Sequence, residues 1–146
     1  MNQDFQDLLS AFSDAKVQHL VVGAYALAVL GRPRATGDID VWIKPSPENA
    51  RRAFAALSAF GAPLIDLTEG ELSTPGVVFQ IGVVPRRIDI LTEISGVEFE
   101  EAWAGRTEGQ FGELTFPVIG RTHFLINKRA TGRAKDLVDA DSLEDG

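Results

Sequence analysis

The chain has no cysteine, one methionine, one tyrosine and two histidines in 146 residues. The missing thiols exclude disulfides, zinc–thiolate sites and thiol catalysis, in keeping with a reducing cytoplasm. The opening residues Met-Asn-Gln-Asp-Phe-Gln-Asp carry acid where a secretory leader carries base, so export is not expected. The longest nearly apolar stretch, Leu20 to Leu30, falls short of the roughly twenty residues that cross a bilayer, and no membrane association is expected. Bases are the minority charge: a net charge of −7 and a pI near 4.8 argue against coating nucleic acid by bulk attraction. The bases are nevertheless clustered. Five of them and no acid lie between Arg121 and Lys135, and pairs stand at Arg51 and Arg52 and at Arg86 and Arg87, which leaves local polyanion binding open.

What is present is enough for one domain spanning residues 1–146, which would bury roughly 70% of the surface its unfolded chain exposes. Phe5, Leu8, Leu9 and Phe12 share one helical face, so residues 3–15 read as an amphipathic helix. A short strand follows over 19–22, Gly23 breaks it, and 24–30 reads as a helix stopped by Gly31 and Pro33. Residues 38–43 form a second strand, and Ser46-Pro47-Glu48 starts a helix that Gly61 ends. Residues 62–76 lack periodicity and read as loop with at most a turn of helix. Strands over 77–82 and 87–92 suit an antiparallel hairpin. A short helix around 99–104 precedes polar sequence interrupted by Gly109 and Gly112, and then a strand over 114–119, expected at a sheet edge because of Pro117. Two short helices split at Gly132 complete the chain. With no repeat and no linker, the expected architecture is α/β (α+β): a single domain with a mixed sheet flanked by helices.

The informative residues are aspartates. In Gly-Asp-Ile-Asp-Val-Trp-Ile, strand alternation turns Asp38 and Asp40 to one face and Ile39, Val41 and Ile43 to the other. In Arg-Arg-Ile-Asp-Ile-Leu, Asp89 opposes Ile88 and Ile90 in the same way, and a neighbouring strand would bring it beside the first pair. Three close carboxylates repel one another unless a cation compensates. Magnesium suits that role because it takes oxygen ligands from one or two carboxylates plus substrate phosphates. Two such ions roughly 3.5 to 4 Å apart clamp both oxygens of an in-line phosphoryl or nucleotidyl displacement. Gly23 lets backbone N–H groups approach a triphosphate. Arg34 and Thr36 are candidates for phosphate or ribose oxygens, and Lys128, Arg133 and Lys135 for the triphosphate tail. Each feature alone has a plainer reading: an Asp-x-Asp pair is often solvated surface, Gly23 a simple turn, the bases surface residues. Their ordered joint occurrence favours a metal–nucleotide site. His19 and His123 lack metal-ligand or nucleophile-partner spacing and receive no role. Trp42 reads as packing or rim.

With these residues in place, the chain resembles the nucleotidyltransferase superfamily that includes DNA polymerase β and the minimal bacterial nucleotidyltransferases. Val21-Val22-Gly23-Ala24 followed by Asp38-Ile39-Asp40-Val41 is similar to that family's strand, Gly-Gly or Gly-Ser turn, helix and Asp-x-Asp strand, and Ile88-Asp89-Ile90 to its third acid. Arg34-Ala-Thr36-Gly-Asp38-Ile-Asp40, with Asn127-Lys128-Arg-Ala-Thr-Gly-Arg133-Ala-Lys135-Asp136-Leu-Val-Asp139, resembles the AbiEii/AbiGii-type nucleotidyltransferases found among toxin and antitoxin proteins. The resemblance implies transfer of a nucleoside monophosphate from an NTP to a hydroxyl of RNA (a tRNA end, for example), protein or a small molecule. Asp38, Asp40 and Asp89 would hold two Mg²⁺ ions, Gly23 and Ala24 would seat the triphosphate, Lys128 would contact phosphate, and Asp136 would orient that lysine. A toxin or antitoxin partner is also implied. Ala24 departs from the pattern, lacking the hydroxyl of the usual serine. That departure keeps a second reading open, a catalytically silent module acting by binding, such as an antitoxin-like partner. A third, RNA binding through Lys128, Arg129, Arg133 and Lys135, predicts steep salt dependence without need of Mg²⁺.

Overall fold

The structure, a computed structural model, describes residues 1–32, 37–82 and 86–145. The elements run α1 (Gln3–Asp14), β1 (His19–Val22), α2 (Gly23–Val29), β2 (Ile39–Ile43), α3 (Pro47–Phe60), α4 (Glu69–Leu72), β3 (Val78–Ile81), β4 (Ile88–Leu91), α5 (Phe99–Ala104), β5 (Thr107–Phe111), β6 (Leu114–Val118), α6 (Arg121–Thr131) and α7 (Ala134–Glu144). The strands form one sheet in the order β3-β4-β2-β1-β6-β5. It is mixed: β2 lies parallel to β4 and β1 to β6, while the other three pairings are antiparallel.

Local chemistry sets the helix ends. The Asn2 side chain accepts the Phe5 N–H to start α1, Ser46 accepts the Asn49 N–H to start α3, and Gly61, at φ 96°, closes α3 in a left-handed cap. Phe5, Leu8, Leu9 and Phe12 are at most 1% exposed. Helix α1 packs on α3, and these two reach β6 and β2 respectively. The 62–76 segment holds the single turn α4, fixed by a capping box in which Thr68 and Glu71 bond each other's backbone. The β3–β4 hairpin forms with Phe79 opposite Ile90 and Gln80 opposite Asp89.

Two sequence expectations are corrected. Pro117 does not put its strand at the edge: β6 sits inside the sheet between β1 and β5. It is tolerated because the ladder to β1 shrinks to the pair Val21 and Val118, continued by the Ile119 N–H to the Val21 carbonyl. The edge is instead β5, which the sequence reading took as interrupted polar sequence. Only Gly109 of β5 is buried, so the strand carries no apolar alternation to read.

The polar clamp that fixes α3 to the sheet is Asn49, 4% exposed. Its Oδ1 accepts the Gln18 N–H at 2.7 Å, and its Nδ2 donates to the carbonyls of Gln18 at 3.0 Å and Lys44 at 2.9 Å. One side chain thus ties the start of β1 to the end of β2.

Candidate active site

Strands β2 and β4 run parallel in a register that sets Asp40 opposite Asp89 and Ile39 opposite Ile88. Residues paired in this way share a face, so the two carboxylates stand side by side above a floor of isoleucines no more than 2% exposed. Asp38, just ahead of β2, accepts the Arg87 backbone N–H at 3.2 Å. Burial first, and then the charge of Asp89 and a carboxyl–carboxyl hydrogen bond with it, push the Asp40 carboxyl up from 3.8 to about 6, against the lowering pull of Lys128.

Gly23 opens α2 at φ 71°, and a β-carbon there would collide with Asp40 Oδ2. The missing side chain therefore lets the β1–α2 turn lie directly on the acid pair.

From the other side, Lys128 of α6 points its Nζ at Asp136 Oδ1, 3.1 Å away, and both residues are at most 9% exposed. Asp136 Oδ2 also accepts from Thr131 Oγ1 at 2.8 Å and Arg133 Nε at 2.7 Å. Burial raises the Asp136 carboxyl, but hydrogen bonds from Thr131, Lys128 and Arg133 outweigh it and hold the group below its ordinary value. An ionised Asp136 fixes where the Lys128 ammonium sits.

A cavity of about 300 Å³ collects these groups. Gly23, Ala24, Asp38, Asp40, Asp89, Lys128, Arg133, Lys135 and Asp136, all singled out in the sequence, line it. Arg34 and Thr36 lie outside the described residues. Two further lining residues, Asp139 of α7 and Arg87, appear in the sequence motifs but receive no site role there. Arg87 sits between the acids, with Nη2 3.7 Å from Asp38 Oδ2 and 3.3 Å from Asp89 Oδ2. Its Nε lies 3.0 Å from Asp89 Oδ1 in an ionic contact too poorly aligned to be a hydrogen bond, so both atoms retain bonding capacity. The signal was present: Arg87 precedes Asp89 by two residues and so shares its strand face.

Among the described residues, no three Asp, Glu or His side chains converge closely enough to hold a metal ion as they stand. The donor chemistry still fits a hard divalent cation. Asp40 and Asp89 are adjacent oxygen donors, the number magnesium commonly takes from a protein, and the Arg87 guanidinium occupies the cationic position between Asp38 and Asp89.

A second cleft, of about 600 Å³, opens from the same place and shares Gly23, Asp40, Lys128 and Arg133 with the first. Its walls include Trp42 and Phe99, whose rings meet edge to face at 5.0 Å. Trp42 is 2% exposed, so it packs and also forms a cleft wall.

No family model and no curated protein sequence matches the chain. Solved structures do. The lincosamide antibiotic adenylyltransferase LnuA, in its lincomycin-bound form, superposes with a TM-score of 0.62 at 15% identity, covering 99% of this chain and 96% of that one. A Thermotoga maritima protein assigned as a nucleotidyltransferase superposes with a TM-score of 0.61 at 16% identity, covering 97% and 88%. With a six-stranded mixed sheet flanked by helices along nearly the whole length of these neighbours, the chain has a nucleotidyltransferase-like fold.

Proposed function

We propose that the chain is a Mg²⁺-dependent nucleotidyltransferase that moves a nucleoside monophosphate from an NTP to a hydroxyl acceptor. The observation that carries this reading is the Asp40–Asp89 pair, held in register on parallel strands and facing Lys128 across one cavity. The fold it shares with an adenylyltransferase supports the same reaction class.

Asp38, Asp40 and Asp89 would hold the metal, two ions in the full complex, with Asp38 joining once Arg87 turns from it towards the substrate phosphates. When bound, magnesium supplies charge neutralisation of the triphosphate and stabilises the attacking and leaving oxygens. The chain's own residues do the rest. Lys128, held by Asp136, binds phosphate oxygens, and Gly23 and Ala24 bring backbone against the triphosphate. Arg133 and Lys135 add positive charge to its tail. A carboxylate of the acid cluster accepts the proton of the acceptor hydroxyl. The acceptor oxygen bonds to the α-phosphorus, the bond from that phosphorus to the bridging oxygen breaks, and pyrophosphate leaves with the electron pair. Positioning and electrostatics provide the rate.

The test is incubation with each of four α-labelled NTPs, Mg²⁺ and total cellular RNA, protein and small-molecule extract. Label should move from at least one NTP to one class of acceptor, with a loss of at least about a thousandfold in Asp40→Asn, because that variant removes a negative oxygen ligand at constant volume. Absence of both NTP binding and label transfer would refute the reading. A second reading, a silent binding module such as an antitoxin-like partner, is favoured by Ala24, which puts a methyl where a hydroxyl would face the cavity. It is separated by intact NTP affinity with no transfer to any acceptor. The AbiEii/AbiGii-type likeness of the Lys128 to Asp139 segment motivates a search for a toxin or antitoxin partner by pull-down.

A further inference from the structure

Arg87 is anchored through its backbone and held loosely through its side chain. Its N–H donates to Asp38 Oδ1 at 3.2 Å and its carbonyl accepts the Ile39 N–H at 3.0 Å, so both flanking peptide groups are fixed to the segment that carries Asp38 and Asp40. The guanidinium is held differently. It reaches both oxygens of Asp89 and Oδ2 of Asp38, yet of these contacts only the one from Nη2 to Asp89 Oδ2, at 3.3 Å, is a hydrogen bond. Arg87 Nε and Asp89 Oδ1 are buried, and neither has a hydrogen-bond partner among the described residues. The Arg87 side chain is 31% exposed, so it is not sealed into this position.

Such a pair is suited to exchange. An arginine matched to a carboxylate makes two parallel hydrogen bonds, and a buried ion pair short of hydrogen bonds recovers little of its desolvation cost. The oxygens that Arg87 touches are also the ones a divalent ion would need on Asp89 and Asp38. Two divalent ions beside a guanidinium still on the acids would overload three carboxylates with positive charge, and an incoming polyanion restores the balance. Lys128 is not free to make that exchange, because Asp136 fixes its ammonium. Arg87 lines one cavity together with Lys128, Arg133 and Lys135, so a guanidinium turned from the acids stays among the groups placed for phosphate. Its planar fork suits phosphate oxygens as well as carboxylates.

We infer that Arg87 is a switch that makes divalent-ion binding conditional on nucleotide: on Asp89 and Asp38 its guanidinium closes the acids to metal, and a triphosphate draws it off and opens them. No covalent bond changes in this exchange. Each ligand binds more tightly when the other is present, and by linkage the two gains are equal. Free Mg²⁺ alone is then held poorly, and the acids fill only in company with the substrate. The inference rests on the transferase reading above and adds to it a condition on when the site becomes competent. A purely structural ion pair would leave the coupling between metal and nucleotide untouched. A plain competitor of metal would, on removal, tighten metal binding without weakening that of the nucleotide.

The test is a thermodynamic cycle on the full chain. Mn²⁺ and a non-hydrolysable ATP analogue are titrated by calorimetry, each alone and each into protein saturated with the other, with their association in the absence of protein measured separately and subtracted. In the parent, each should tighten the other about thirtyfold. In Arg87→Ala, Mn²⁺ alone should bind about tenfold tighter and the analogue at saturating Mn²⁺ about tenfold weaker, so the coupling falls to about threefold, the part that direct contact between ion and phosphate supplies. Arg86→Ala, on the exposed neighbour, should leave the coupling at the parent value. Arg87→Lys, which keeps the charge and loses the fork, carries the test if Arg87→Ala does not fold, and its coupling should still fall at least about threefold. Equal coupling in the parent and the Arg87 variants would overturn the switch, as would unchanged analogue affinity at saturating Mn²⁺ in Arg87→Ala. In either case intact binding of both ligands leaves the transferase reading standing, whereas failure of the parent to bind the analogue with Mn²⁺ present would sink the reading and the switch together.

Discussion

Arg87 is the residue on which the charge balance of the acid cluster turns. Its guanidinium lies between Asp38 and Asp89, and under the proposed function it would compete with a divalent cation for these acids. Removing it leaves the carboxylates mutually repelling, so Arg87→Ala should lower stability in EDTA by about 1 kcal/mol and tighten Mn²⁺ binding about tenfold, or about 1.4 kcal/mol. Calorimetry checks both, with the exposed Arg86→Ala as control; weaker Mn²⁺ binding in Arg87→Ala would contradict the competition. His19 and Asp40 pull pH dependence in opposite directions. Burial lowers the His19 imidazole from 6.5 to about 4, against a raising hydrogen bond to the Val17 carbonyl. The unfolded chain therefore takes up this proton first, and stability from His19 is present above pH 6.5 and lost as pH falls toward 4. Asp40 is raised to about 6 from 3.8, so the folded chain takes up its proton first, and stability is gained as pH falls across that window. In EDTA, Asp40→Asn should exceed the parent by about 2 kcal/mol near neutrality, an advantage that disappears toward about pH 4. His19→Gln should lose less stability than the parent over the same acidification. Urea titrations at several pH values read both. Asp40 and Asp89 were legible in sequence because alternation with isoleucine fixes their faces. The same alternation puts Arg87 beside Asp89, but its contact with Asp38, on a different strand segment, is revealed only by register.

At the scale of elements, one side chain of α3 holds the start of β1 to the end of β2. Asn49 satisfies one backbone donor and two carbonyls at the β1–β2 end of the sheet. Asn49→Ala takes the partner from the part-buried Gln18 N–H and a donor from each carbonyl, the Gln18 carbonyl keeping the Lys44 N–H, and should cost about 2 kcal/mol. Asn49→Asp should be at least as costly, since it replaces the donor facing two carbonyls with a carboxylate oxygen. Urea denaturation measures both, and a cost near zero for either would mean that water replaces the clamp. The role of Asn49 had no sequence signature: it sits in the first turn of α3, where a polar residue reads as solvated, and only the three-dimensional crossing of β1 and β2 reveals its partners. The helices α1 and α3 were readable from their apolar spacing and caps. Strand β5 was not, because an edge strand with one buried residue has no face to display.

At the scale of the whole molecule, the distribution of charge decides among partners. Of the five bases between Arg121 and Lys135, three are held in ion pairs with acids of α7. Lys128 and Arg133 engage Asp136, and Arg129 pairs with Asp141 and Glu144. With a net charge of −7, homopolymeric RNA without Mg²⁺ should show no measurable affinity at about 150 mM salt. Tight, steeply salt-dependent binding in a filter assay would revive the RNA-binding alternative. No helix among the described residues is long and apolar enough to cross a membrane. The pairing of Asp40 with Asp89 was foreseeable from two short segments, whereas the two-cleft layout required the fold, because residues 92 to 99 become a wall only when α6 packs behind them.

The acid cluster as a divalent-ion and nucleotide site is tested most directly by electron paramagnetic resonance titration of Mn²⁺ into the protein with a non-hydrolysable NTP. The wild-type chain should bind two ions per nucleotide-bound molecule, and Asp40→Asn with Asp89→Asn should abolish that binding while the fold is retained. Mn²⁺ binding that is absent from the wild type, or unchanged in the double variant, would contradict the central claim.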